Sequence, residues 1–127
     1  MCAKMGKGFK DLYVWKESMD LAVYIYNITN QGEFRKDYAL RDQIRRSAVS
    51  VPSNLAEGDE RKTDKDAIRF FYIAKGSLAE LRTQIEIAHK VHYINKTVYS
   101  EIEEKSAKIG KMLGSLIKAR SARSRPP

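Results

Sequence analysis

Proline almost disappears from the middle of this chain: of three prolines in 127 residues, Pro126 and Pro127 close the sequence and only Pro52 interrupts its body. Long segments can therefore keep every backbone donor a helix needs. Runs of Val, Thr and aromatic residues alternating at period two are scarce, which removes the strand signal and leaves an all-α protein as the expected class. The single cysteine, Cys2, excludes an intrachain disulfide and a cysteine-rich metal site, and it points to a reducing cytoplasm. No apolar run approaches the ~20 residues of a membrane span, and Lys4, Gly6, Lys7 and Gly8 interrupt any secretory h-region. Internal repeats and low-complexity segments are lacking in the body, so the length fits one domain with one core.

Acids are missing from both ends. Residues 1–10 hold Lys4, Lys7 and Lys10 without an acid, and residues 118–127 hold Lys118, Arg120, Arg123 and Arg125 without one. Those seven charges make up nearly all of the net +8, because residues 11–117 balance 17 basic against 16 acidic side chains. Attraction for a polyanion therefore starts at the ends. Three segments follow: a basic N-terminal arm over 1–10, a helical body over 11–117, and a basic tail over 118–127. The tail is short and rich in Ser, Arg and Pro, and is expected to be disordered when free. Solubility alone would equally account for such ends.

The body divides into four predicted helices. Asp11 is placed to cap the first, over about 12–28, with Leu12, Trp15, Met19, Ala22, Val23 and Tyr26 as its inner stripe before Thr29-Asn30-Gln31-Gly32 breaks it. The second starts near Lys36 or Asp37 and ends at Gly58, read as a left-handed C-terminal residue, with a kink at Pro52. Thr63 followed by Asp66 resembles a capping box opening the third helix, which carries Phe70, Phe71, Ala74, Leu78, Leu81, Ile85 and Ala88 to about Val91. The fourth, about 97–120, turns Ile102, Ile109, Met112, Leu113, Leu116 and Ile117 inward. Short loops between long helices favour an antiparallel up-down-up-down four-helix bundle.

Residues 43–58 carry two seams at one period. Leu40, Ile44, Ser47, Ala48, Val51 and Leu55 form an apolar face, while Gln43, Arg46, Ser50, Asn54 and Glu57 form a polar stripe beside it. Glu80 and Gln84 on the third helix offer a matching polar stripe. Gln43, Arg46, Ser50, Asn54, Glu57, Glu80 and Gln84 are thus read as a structural hydrogen-bonded network within the body or between subunits, since buried polar groups must be paired. Arg41, Arg45, Arg61, Lys62, Lys65 and Arg69 are the better phosphate candidates in the body, joining Lys4, Lys7, Lys10, Lys118, Arg120, Arg123 and Arg125 at the ends. Asp42, Asp59, Asp64 and Asp66 lie among them, so a solvated mixed-charge face is the plain alternative.

Trp15-Lys16, the run Ser50-Val51-Pro52-Ser53-Asn54-Leu55-Ala56-Glu57-Gly58, and residues 73–84 together resemble the bacterial proteins encoded in intervening sequences of 23S ribosomal RNA genes. The resemblance spans about 9–117 and implies a four-helix bundle. That family includes accessory proteins of diversity-generating retroelements, which are basic, pentameric and act with a reverse transcriptase and its RNA. The resemblance therefore implies a homopentameric ring and an RNA or reverse-transcriptase partner.

Chemistry of other kinds finds little footing. His89 and His92 sit one turn apart, and Glu86-x-x-His89 is a lone copy of a pattern that di-iron bundles use twice, so no metal or cofactor is expected. No serine elbow, phosphate-cradling glycine loop or dinucleotide fingerprint occurs. Tyr13, Tyr24 and Tyr72 fall off the inner stripes and are expected to meet another subunit. The expectation is a nonenzymatic, oligomeric scaffold that binds nucleic acid, RNA more than DNA. The alternatives are a retroelement accessory factor and a purely structural interaction bundle.

Overall fold

A computed structural model describes residues 8–124, which are all helical apart from short connections. A single 3-10 turn (Gly8–Asp11) leads into α1 (Tyr13–Ile28), a short α2 (Gly32–Lys36), α3 (Tyr38–Asp59), α4 (Asp64–Lys90) and α5 (Lys96–Ser124). The four long helices pack chiefly in a closed sequence: α1 on α3, α3 on α4, α4 on α5, and α5 back on α1. Between them lies one core of Ile25, Phe34, Ile44, Leu55, Phe71, Leu81, Ile85, Ile102, Ile109 and Leu113, all but closed to solvent. Burial of this apolar area is the main force holding the helices together.

The helix ends follow local chemistry. The Thr63 hydroxyl accepts the Asp66 N–H at 3.1 Å and starts α4, as the Thr-x-x-Asp spacing predicts. Asp37 does two jobs: one carboxylate oxygen accepts the Leu40 N–H at 3.1 Å and the other accepts the Tyr93 hydroxyl at 2.8 Å. The start of α3 is thereby tied to the α4–α5 connection, and the nearby carboxylate pushes the Tyr93 phenol above its usual pKa. Asp11 does not cap α1. It closes the 3-10 turn instead, and Leu12 holds the cap position without a side-chain bond.

Several boundaries differ from the sequence reading. Gly32 does not simply end a helix; at φ +53 it opens α2, which delivers Phe34 into the core beside Tyr93, ring centroids 5.2 Å apart. Gly58 is not a left-handed terminus but a buried residue inside α3, where an added Cβ would stand 2.7 Å from the Phe71 ring and 3.0 Å from the Ala67 carbonyl. The glycine is needed for close approach of α3 to α4. The helix also runs on through the buried Pro52 to Asp59. At the other end, α5 continues to Ser124, so residues 118–124 are helix rather than the start of a disordered tail.

Candidate functional site

Both ends of the described part, at Gly8 and at Arg120 to Arg123, arrive at one pole, the turn between α3 and α4. Gly8 lies against Glu60, whose carboxylate would be 3.3 Å from a Cβ on the glycine. From α5, Arg120 donates to Asp59 at 2.6 Å and to Asp64 at 3.4 Å, and its guanidinium sits 5.3 Å over the Phe71 ring. One turn on, Arg123 grips Asp64 with two bonds, at 2.7 and 3.0 Å. The Arg123 hydrogen bond, helped by the charges of both arginines, holds the Asp64 carboxyl below its ordinary pKa. This ion-paired clasp is why the helix persists past Lys118: the two charges that looked free in sequence are matched by acids about sixty residues earlier.

Other candidates at the pole divide the same way. Arg61 donates to Glu57 at 2.7 Å and lies 3.8 Å from Asp66, while Arg69 donates to Asp66 at 3.1 Å. Both guanidinium groups also lie over the Phe70 ring. By contrast Lys10, Lys62, Lys65 and Lys118 are exposed, with no carboxylate within 4.0 Å among the described residues. Residues 57–69 and 118–124 together hold seven basic and five acidic side chains, so the pole keeps a positive surplus after pairing. Lys4, Lys7 and Arg125 lie outside the described residues.

The polar stripes of α3 and α4 do face each other, but they form no continuous buried network. Ser50 and Ser77 share a 2.7 Å hydrogen bond across the two helices, and the Asn54 amide donates to the Ser50 hydroxyl and carbonyl at 3.0 and 2.9 Å. Beyond them Gln43, Arg46, Ser47, Ser50, Glu80 and Gln84 line an open groove of about 400 Å3. Gln43, Arg46 and Glu80 are exposed, and Glu57 turns away to Arg61. The Gln84 Oε1 atom is buried there without a partner among the described residues. Ser77 was not anticipated, because a serine at a core-facing position reads as a small packing residue. Further along α3, Arg45 donates to the Thr29 hydroxyl at 2.8 Å with its guanidinium 4.6 Å over Tyr26. Arg41 is spread between Asp42, the Arg35 carbonyl and the face of Tyr38.

A third feature is apolar. Phe9, Trp15, Met19, Val23, Tyr26, Val49, Pro52 and Ala56 line a groove of about 490 Å3 between α1 and α3. Ala22 faces the core as expected, but Met19, Val23 and Tyr26 do not; Val14, Ser18, Leu21 and Ile25 complete the core face, and Val23 is 56 % exposed. The helix α1 is apolar on two faces, so its period alone could not say which faces inward. Of the off-stripe tyrosines, Tyr13 and Tyr72 are exposed, whereas Tyr24 donates to Glu101 at 2.5 Å. Partial burial, then Glu101, raises the Tyr24 pKa to about 12.

The histidine region is committed to packing. His89 stacks on Tyr99 with centroids 4.4 Å apart, and Tyr99 donates to Glu86, which pushes the phenol to about 12. Among the described residues no three His, Cys, Asp or Glu side chains gather in metal-binding geometry, and no helix is long and apolar enough to cross a membrane.

Comparison with known proteins agrees with the motifs in α3 and α4. The chain is similar to a crystallised protein of unknown function from the S23 ribosomal protein family of Bacteroides thetaiotaomicron VPI-5482. Identity is 29 %, the match covers 83 % of this chain and 98 % of that one, and the TM-score is 0.76. No curated protein matches. The profile described as 23S rRNA-intervening sequence protein matches residues 10–115, which takes in all of α1 to α4 and most of α5. On that match the chain belongs to the 23S rRNA-intervening sequence protein family.

Proposed function

We propose that this chain is a nonenzymatic, oligomeric scaffold that binds nucleic acid, RNA in preference to DNA, through its basic pole. The carrying observation is the convergence of both ends of the described part, Gly8 and Arg120 to Arg123, on the α3–α4 turn. Residues 57–69 and 118–124 hold seven basic against five acidic side chains, and Lys10 joins them from the N-terminal turn, so a positive surplus gathers at one place. Lys10, Lys62, Lys65 and Lys118 are the phosphate-binding residues of the described part, because phosphate contact needs no acid to be displaced from them. Arg61, Arg69, Arg120 and Arg123 act first as structural cations.

The short connections and the closed packing order of α1, α3, α4 and α5 support an antiparallel up-down-up-down four-helix bundle. The exposed apolar groove supports assembly of several copies, and a homopentameric ring is the form we propose. Copies that present their poles on one side would turn individually weak phosphate contacts into a multivalent surface. The test is electrophoretic mobility of structured RNA, duplex DNA and single strands with the intact chain across salt concentrations. Salt-sensitive binding without strong sequence preference, tightest for structured RNA, is expected; absence of any complex at low salt refutes the proposal.

A further inference from the structure

The strongest unexplained feature is the groove between α1 and α3. Its walls are almost wholly apolar, and Met19, Val23, Tyr26 and Val49 stand 38–56 % exposed around it. Contiguous apolar surface of this kind marks an interaction site. The same chain carries a second exposed apolar surface that does not share a residue with the first: on α4, Tyr72 and Ile73 are 55 % and 43 % exposed. Next along that helix Gly76 is open to the outside, with nothing within 4 Å of an added Cβ, and Ala79 is exposed. One surface is a trough and the other a raised edge falling to small residues.

Charge at the two surfaces also matches. Arg45 stands at the Tyr26 end of the groove, with no carboxylate within 4.0 Å among the described residues. Glu80, one turn beyond Gly76 on α4, is exposed and has no cationic partner within 4.0 Å among the described residues. A trough ending in an unpaired cation and a ridge ending in an unpaired anion, both on one chain, are complementary halves of a contact between copies.

We infer that the α1–α3 groove receives the Tyr72–Ile73 edge of α4 from a second copy of this chain, with Arg45 of one copy facing Glu80 of the next. This deepens the assembly part of the proposed function and rests on it. The contact is heterologous: each copy offers a groove to one neighbour and a ridge to the other, and repetition closes a ring or extends a filament.

Sedimentation velocity of the intact chain and of Val23→Glu and Ile73→Glu tests the inference. Both positions are solvent-exposed helix sites where glutamate is a good helix former, so circular dichroism should show unchanged helicity. Each variant alone is expected to run as the 14.6 kDa monomer. An equal mixture leaves one sound groove and one sound ridge, and should stop at a dimer. Intact chain that assembles while Val23→Glu also assembles overturns this contact but leaves oligomerisation standing. A mixture that stays monomeric overturns the groove–ridge pairing. Intact chain that is itself monomeric overturns both. As a second arm, Arg45→Glu should weaken assembly about tenfold or more, and Arg45→Glu combined with Glu80→Arg should regain it. Failure of the double variant to recover counts against the contact even if the first pair misfolds.

Discussion

The basic pole and the α1–α3 groove sit at neighbouring parts of the fold and have opposite characters. At the pole, Arg61, Arg69, Arg120 and Arg123 all meet carboxylates, and Phe71 lies buried beneath the Arg120 guanidinium. In the groove, Met19, Val23, Tyr26 and Val49 keep 38–56 % of their surface exposed to solvent. The lesson is that a run of basic residues does not state how much charge is available. Exposed, unpaired lysines attract a polyanion at long range, whereas paired arginines mainly fix the ends of α3, α4 and α5. The groove has no such internal pairing, which is why we propose it as a contact between copies.

Perturbing the pole's foundation should have the largest effect. Phe71→Ala removes a fully buried ring from beneath Arg120 and is expected to cost about 4 kcal/mol in urea unfolding. Gly58→Ala forces a methyl into the space held by Phe71 and Ala67; overpacking outweighs the gain in helix propensity, leaving a loss of about 1–2 kcal/mol. On the α3–α4 face, Ser50→Ala removes the Ser50–Ser77 bond and should cost about 1 kcal/mol, with helicity unchanged.

The smallest effect is pH-dependent. Asp64 has a folded pKa below its ordinary value because Arg123 and Arg120 favour the carboxylate. Its stabilisation is therefore complete above the unfolded aspartate value of about 4 and is lost as pH falls through the lower folded value. Thermal unfolding of the intact chain and of Asp64→Asn should differ above pH ~4 and converge below it. Asp64→Asn should also release Arg123 and tighten RNA binding at neutral pH, an outcome that a groove substitution such as Val49→Ala would not share.

Much of this arrangement was legible from residues alone, for identifiable reasons. The Thr63 cap, the spacing of Phe71, Ala74, Leu78 and Leu81, and the scarcity of proline are local signals, and local signals fix helices. Gly58 lay within view but its role did not, because the clash that demands glycine comes from Phe71 on another helix. The clasp of Arg120 and Arg123 was hidden for the same reason: its acids lie about sixty residues away, and no periodicity links them. On α1 the fault was ambiguity rather than distance, since two faces are apolar and only packing selects Leu21 and Ile25 over Val23 and Tyr26. Short α2 was missed because Gly32 signals a break equally well whether the chain then coils or starts a new turn.

The central claim is that the pole's unpaired lysines bind phosphate while its paired arginines hold the fold. It is tested most directly by the salt dependence of structured-RNA binding for the intact chain and for Lys62→Gln/Lys65→Gln/Lys118→Gln, which leaves the clasp in place. The account predicts that the triple variant unfolds like the intact chain but binds more weakly, its log–log salt slope per chain shallower by roughly two to three. An unchanged affinity and slope in a folded triple variant would contradict it.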